Sequence, residues 1–341
     1  MSPKRFFIGL ISGLVLALAV FFGSFYRQLG APTLSSQWCY EINTKKQQIA
    51  QSIAGPKLLL VGGSSTLFGL SAREIQAETG VPTVNLGTHA ALGPEYILHL
   101  ARHAAKPGDT VMLGLEYEVY DYTARVKGPG WTDQLYFDYL FARDPEYFRS
   151  WPLPRQFQTA MLISNRRLKE GLRNRGQTIA PIDGGAYNST NLNAFGDQTG
   201  NTFSKRPATG EPWLSSRSHN LAAGISAQPT GLRNLRNFIQ WARQNNVRVL
   251  ATYPSICFRP EYVETPGQRT EKAIRDFFES EGVPVVGNAR EAMLDPDQFF
   301  DTLYHPTEEG ARARTRRLLV HLAPLLTNGN GRVQTANSAA Q

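Results

Sequence analysis

The feature that most constrains the fold is an alternation of short apolar runs with amphipathic stretches, met twice along the chain. Lys57 to Val61 (KLLLV) is largely apolar and ends in Gly62-Gly63, the pattern of a strand buried on both faces. Ser71 to Thr79 reads as a helix, with Ser71 as N-cap and Glu74 three residues on, a capping-box spacing. Thr83 to Leu86 is a second predicted strand. Pro94 to Ala104 is a helix that opens on proline, and Thr110 to Leu115 is a third strand after the turn Pro107-Gly108-Asp109. The pattern resumes with a helix over Leu232 to Gln244, a strand over Arg248 to Thr252, a helix over Thr270 to Glu279, a strand over Val283 to Val286 and a last helix over Glu308 to Leu325. Strands that alternate with helices pair in parallel and are covered on both faces. The prediction is therefore an α/β fold: a three-layer α/β/α sandwich around a mostly parallel five-stranded sheet of flavodoxin-like order 2-1-3-4-5. Functional residues then belong at the carboxyl ends of the strands.

Before this domain lies a compartment signal. Lys4 and Arg5 precede an uncharged run from Phe6 to Phe25, about 20 residues, enough for a helix to span a hydrocarbon core. The basic pair favours a cytoplasmic N-terminus and exports the rest of the chain. Ala17-Leu18-Ala19 offers a signal-peptide cleavage site, whereas continued hydrophobicity through Val20, Phe21 and Phe22 favours a retained anchor. The expected organisation is an anchor over 1–26, a connector over 27–56 that could be helical, a domain over 57–327 with an insertion at about 120–228, and a disordered polar tail over 328–341. The insertion starts rich in aromatics, including Trp131, Tyr136, Phe137, Tyr139, Phe141, Tyr147, Phe148 and Trp151. These are either core or a platform for sugar rings. From Gln177 to Gln228 periodicity is weak, and Asn188-Ser189-Thr190 matches a glycosylation sequon.

Composition excludes more than it selects. The net charge of +8 is diffuse apart from Arg166, Arg167, Lys169, Arg173 and Arg175, which read as a solvated helix face or as a contact for an anionic polymer or membrane surface. No nucleic-acid motif accompanies it, so nucleic acid is not an expected partner. Cys39 and Cys257 could form one disulfide in an exported protein or stay as two thiols. His99 and His103 have i, i+4 spacing, but no partner cluster accompanies them, so neither a metal nor another cofactor is expected.

Three segments near strand ends carry chemistry. Gly62-Gly63-Ser64-Ser65 follows the first strand, where glycines permit a tight turn and expose a serine. Asp301 and His305 lie four apart in the loop before the last helix. A serine hydroxyl needs a base, and an imidazole base needs a carboxylate that fixes its tautomer. The third segment is Asn85-Leu86-Gly87-Thr88-His89-Ala90, after the second strand.

Together these residues resemble the SGNH, or GDSL-like, hydrolase superfamily. Gly63-Ser64-Ser65-Thr66-Leu67-Phe68-Gly69 resembles the first block, with glycine four residues after the nucleophile, which selects Ser65 rather than Ser64. Asp301 to His305, followed by Pro306 and Gly310, resembles the last block, which supplies acid and base. The family spaces the acid three residues before the histidine, and here the spacing is four. The Asn85 to Ala90 segment, with Gly87, resembles the second block, and Ala90 stands at its oxyanion-hole N–H position in place of glycine. The third block falls at Gly114-Leu115-Glu116-Tyr117, where Glu116 replaces the asparagine that donates to the oxyanion. An ionised carboxylate can only accept.

The resemblance covers Lys57 to Glu118 and Gly231 to Leu325. It implies acyl transfer, with Ser65, His305 and Asp301 as the triad and Ala90, Gly87 and Glu116 at the oxyanion or substrate. The Glu116 replacement fits the divergent branch that O-acetylates bacterial envelope polysaccharides. That branch implies a polysaccharide substrate, a membrane acyltransferase partner, and a single-pass anchor in the inner membrane with the domain in the periplasm or outside the cell. Two rivals stand beside it: a scaffold that retains the fold without activity, and a lipase or esterase acting on membrane lipid.

Overall fold

The structure is a computed structural model that describes residues 2–123, 131–182, 185–207, 218–265 and 267–327. The tail expected to be disordered lies outside the described residues. In chain order the elements are α1 (Pro3–Gln28), α2 (Leu34–Ser52), β1 (Leu58–Val61), α3 (Ser64–Gly69), α4 (Ala72–Thr79), β2 (Thr83–Asn85), α5 (Gly93–Ala104), β3 (Thr110–Leu113) and α6 (Tyr117–Tyr120). Then come α7 (Trp131–Arg143), α8 (Pro145–Arg149), α9 (Leu153–Ala160), α10 (Asn165–Arg173), α11 (Thr230–Gln244), β4 (Arg248–Ala251) and β5 (Ile256–Cys257). The chain continues through α12 (Pro260–Val263), α13 (Arg269–Ser280), α14 (Ala289–Ala292), β6 (Met293–Leu294) and α15 (Glu308–Thr327). The chain divides into two compact units: Met1–Ile42 with Ala91–Gly93 and Ala124–Ser189, and Asn43–Ala90 with Pro94–Thr123 and Thr190–Gln341. The expected insertion is thus shared, Ala124–Ser189 lying in one unit and its first residues up to Thr123 and the stretch from Thr190 onward in the other.

The larger unit is built on a parallel sheet of order β2-β1-β3-β4. Every residue of β1 is buried, as a strand covered on both faces requires. Leu58, Leu60, Met112 and Leu250 share one core with Leu70, Ile75, Leu318 and Leu322 from the α3–α4 segment and α15. Fully burying each such side chain contributes about 1.5–3 kcal/mol. The sheet has four strands where five were expected. Val283 to Val286 does lie in parallel beside β4, but as an isolated bridge between Ala251 and Val285. Pro284 explains this: its carbonyl accepts from Ala251, but proline has no N–H to donate to a ladder. A separate two-stranded sheet pairs β5 with β6 in parallel.

Polar contacts fix how the strands enter. Lys57 and Asp109 form a buried ion pair at 2.7 Å, and Asp109 also accepts from the backbone N–H groups of Lys57 and Lys106. This ties the start of β1 to the turn before β3. Ser71 caps α4 by accepting from Glu74 N, as expected. Asp197, which sequence reasoning passed over, also binds the start of α4, accepting from Ala72 N at 2.6 Å and Arg73 N at 3.0 Å. On the outer side of β2, Asn85 N donates to the Phe195 carbonyl at 2.9 Å.

The other unit is helical. Within α1 the residues from Phe6 to Val20 are exposed, whereas Phe25 and Gln28 are fully buried. Phe25 packs edge-on against Phe141 and Phe148, with ring centroids at 5.0 and 5.7 Å. Tyr136, Tyr139, Phe141, Phe148 and Trp151 are buried, so most of the aromatic run is core rather than a sugar platform. The basic cluster is not uniformly solvated: Arg166, Lys169, Arg173 and Arg175 are exposed, but Arg167 is buried and donates to the Ala31 carbonyl. The connector contains the long helix α2. Cys39 and Cys257 are both free, buried thiols, and burial pushes them up to about 12 and about 11.

Candidate active site

The carboxyl end of β1 runs into Gly62-Gly63, then directly into α3. Both glycines are required by packing. A Cβ at Gly62 would strike Thr66 and the Gly114 carbonyl, and one at Gly63 would strike the Glu116 carboxyl and Ala90. Three loops therefore meet here, those after β1, β2 and β3.

Asp301 and His305 come together from the loop before α15. The loop is closed by an antiparallel bridge between Phe299 and Pro306, and Phe300 N donates to the His305 carbonyl at 2.7 Å. That turn lets residues four apart meet, and His305 Nδ1 lies 2.8 Å from Asp301 Oδ1. The His305 ring stacks on Phe68, centroids 4.4 Å apart, one helical turn beyond the serines of α3. His89, beside Ala90, is pushed down to about 4 by its low-dielectric surroundings, and the charge of His305 adds to the effect. Asn201, fully buried, holds the loop by donating to the Pro306 carbonyl at 2.7 Å. It lies in the weakly periodic stretch and gave no sequence signal.

The two serines divide differently from expectation. Ser65 is 1% exposed and its Oγ donates to the Gly114 carbonyl at 3.3 Å, an oxygen that also accepts from Thr66 Oγ1 at 2.6 Å. Ser64 is half-buried, and its Oγ lies 3.5 Å from Glu116 Oε1.

Glu116 sits at the centre of this arrangement. It is 2% exposed, and its Oε1 accepts from Ser65 N at 2.7 Å. Oε2 is buried with no hydrogen-bond partner among the described residues. Burial pushes this carboxyl above the ordinary range, against the hydrogen bond from Ser65 N–H. Were the strand to continue past Leu113, Glu116 and Glu118 would share a face. The strand ends at Leu113 and Glu116 becomes the N-cap of α6, so Glu116 points inward while Glu118 is exposed.

Gly87 supports the site from behind. A Cβ there would strike the backbone of Leu67, and its carbonyl accepts from Lys46 Nζ. Lys46 is 1% exposed, and burial pushes its ammonium down to about 7, opposed by the charge of Asp197. A further cluster flanks His305. Tyr304 Oη donates to Glu118 Oε2 at 2.8 Å, His219 Nδ1 lies 2.8 Å from Glu118 Oε1, and the His219 and Tyr304 rings stack at 4.9 Å. His219 sits in the stretch where periodicity failed, so its place was not legible. Among the described residues no group of His, Cys, Asp and Glu is arranged to hold a metal ion.

No protein-family model and no curated protein matches the chain. Among solved structures it is similar to a provisionally assigned platelet activating factor from Streptococcus pneumonia, at 13% identity and a TM-score of 0.39, over 85% of this chain and 94% of that one. It is similar also to the YxiM protein of Bacillus subtilis, at 13% identity and a TM-score of 0.39, over 82% of this chain and 59% of that one.

Proposed function

We propose that the chain is a membrane-anchored, serine-dependent esterase or O-acyltransferase, acting outside the cytoplasm on acetyl groups of an envelope or secreted polysaccharide. The observation that carries this reading is the Asp301–His305 pair at 2.8 Å, packed through Phe68 against the helix that begins with the two serines. Asp301 on Nδ1 fixes the tautomer in which Nε2 accepts a proton. In the proposed reaction Ser65 Oγ, turned off the Gly114 carbonyl by rotation about χ1, attacks the acyl carbonyl while His305 takes its proton. The tetrahedral intermediate collapses, the leaving alcohol takes that proton, and an acetyl-serine remains. A sugar hydroxyl or water, deprotonated by His305, then attacks the acetyl carbon, and the Ser65 Oγ–acetyl bond breaks as Ser65 Oγ takes the proton back from His305, which frees the acetylated sugar or acetate. A membrane acyltransferase is the proposed partner that would supply the acetyl donor.

The oxyanion needs donors, and Glu116 supplies one as a neutral acid. A protonated carboxyl has an acceptor oxygen and a hydroxyl donor, as an asparagine amide has an oxygen and an N–H. Oε1 accepts from Ser65 N, leaving the hydroxyl on the buried, unpartnered Oε2 to donate. Leaving an ionised oxygen buried without a donor would cost several kcal/mol. The site thus keeps a donor at the family's asparagine position.

Ser64 is a second reading for the nucleophile, favoured because it is only half-buried where Ser65 is buried. Incubation with an activated acetyl ester, followed by peptide mapping, separates the two. An adduct on Ser65 is expected, and an adduct on Ser64 moves the nucleophile by one residue. No adduct, with polymer acetylation in cells unaffected by Ser65→Ala or Ser64→Ala, would leave the scaffold role.

A further inference from the structure

Helix α9 is amphipathic in the wrong sense for a helix surrounded by water. Leu153, Phe157 and Met161, spaced by four along the α9 segment, are 75%, 52% and 49% exposed, and residues at that spacing share a face. The polar Gln156 and Thr159 point inward and are buried. Gln156 is satisfied there, donating to the carbonyls of Arg149 at 3.0 Å and Trp151 at 2.7 Å. An exposed apolar stripe of this kind marks an interaction surface.

The occupant is indicated by what the stripe adjoins. Phe157 stacks on Phe22 of α1 with centroids 4.9 Å apart. Helix α1 is long and apolar enough to cross a membrane, and none of its apolar window is buried within the protein. At about 1.5 Å per residue, Phe22 stands roughly 24 Å from Phe6, near the far side of a hydrocarbon core about 30 Å thick. Tyr26 and Arg27, one turn further, are exposed and are the residue types found at headgroup level. Gln28 in the last turn lies against Gly171 of α10. The outward side chains of that helix include Arg166, Lys169 and Arg173 beside Asn165 and Leu172, with Arg175 just beyond. These charges complement anionic headgroups at the level where α1 leaves the lipid.

We propose that α9 is an interfacial helix: Leu153, Phe157 and Met161 lie in the acyl–headgroup boundary of an anionic bilayer, beside the emerging α1, so that the helical unit rests on the membrane rather than hanging from it. The proposal rests on α1 spanning the membrane and not on the hydrolase reading.

The test is spin-label accessibility in the full chain, reconstituted into phosphatidylethanolamine–phosphatidylglycerol vesicles. Labels are placed singly by Leu153→Cys, Phe157→Cys and Met161→Cys, with Leu14→Cys as the lipid reference and Lys272→Cys as the aqueous reference. The native thiols are buried and are checked for labelling in the unsubstituted chain. The expected result is that labels at 153, 157 and 161 relax with oxygen and are shielded from a water-soluble nickel chelate, as at position 14. Nickel access at all three equal to that at position 272, with position 14 shielded, would overturn the interfacial helix and leave the anchor standing. Nickel access at position 14 would overturn both.

Discussion

Helices α9 and α11 are both amphipathic and expose opposite faces. In α11, of the sheet-bearing unit, Leu235, Phe238, Ile239 and Ala242 are buried and Arg233, Arg236 and Arg243 project into solvent. In α9, of the helical unit, Gln156 and Thr159 are buried and Leu153 and Phe157 project. The same periodicity thus serves two environments, because amphipathicity fixes that a helix has two faces and not which one meets its surroundings. On the proposed reading this difference is a division of labour: one unit organised for water and carrying the candidate reactive loops, the other organised for lipid.

Predictions can break or sharpen that division. The largest effect expected is on chemistry alone. Asp301→Asn should lower acetyl-ester turnover by about 10⁴ with sedimentation on vesicles unchanged, and a parallel loss of vesicle binding would break the division. Asp109→Ala comes next. It leaves Lys57 buried without its partner, which should cost about 3–5 kcal/mol, read as a fall in the denaturation midpoint of detergent-solubilised protein. An unchanged midpoint would show that the pair is not what ties β1 to the turn before β3.

Glu116→Ala should lower turnover by roughly 10²–10³, the worth of one oxyanion donor. Glu116→Gln, which keeps a donor and cannot ionise, should stay within a few-fold of the native chain. The sign with pH follows from the direction of the shift. Glu116 is held above the ordinary carboxylate range by burial, so the donating form is complete at low pH and is lost as pH rises through that elevated value. Stability runs the same way: the contribution of the neutral acid is fully present below the unfolded-state value and fades as pH climbs past the folded one. Turnover of the native chain should therefore show a falling alkaline limb that Glu116→Gln abolishes. A limb that persists unchanged would assign it to another group.

The smallest effect should come from Leu153→Ser, Phe157→Ser and Met161→Ser combined. Exposed positions of this kind usually change stability by no more than about 0.5 kcal/mol each. Turnover of a soluble acetyl ester in detergent should be unaltered, and a collapse of that turnover would tie α9 to the chemistry and blur the division.

The order of the sheet strands was legible because each strand is short, apolar and followed by a turn or a helix. Four were placed to within two residues, and the last failed because Pro284 removes a donor that a strand pattern does not weigh. Asp301 and His305 were legible as a pair because the two lie four residues apart in one loop. The orientation of Glu116 was not, since the strand was extended past Leu113 and the switch to a helix N-cap put Glu116 and Glu118 on different faces, Glu116 buried and Glu118 exposed. Lys46, Asn201 and His219 were illegible for another reason. Each acts on a residue at least 41 positions away in sequence, Gly87, Pro306 and Glu118 respectively, and nothing local marks a side chain whose partner is that distant.

The contact between Asn85 N–H and the Phe195 carbonyl bears on how the protein behaves when crowded. Strand β2 is the outermost strand on its side of the sheet, and an open strand edge is a template on which another chain can pair. The loop around Phe195 occupies the edge donor at Asn85, and the same loop carries the Asp197 that caps α4. Unpeeling it would uncover β2 and uncap its neighbouring helix together. This loop is therefore the cover of the β2 edge, and its release is the step that would expose a pairing template when chains are crowded.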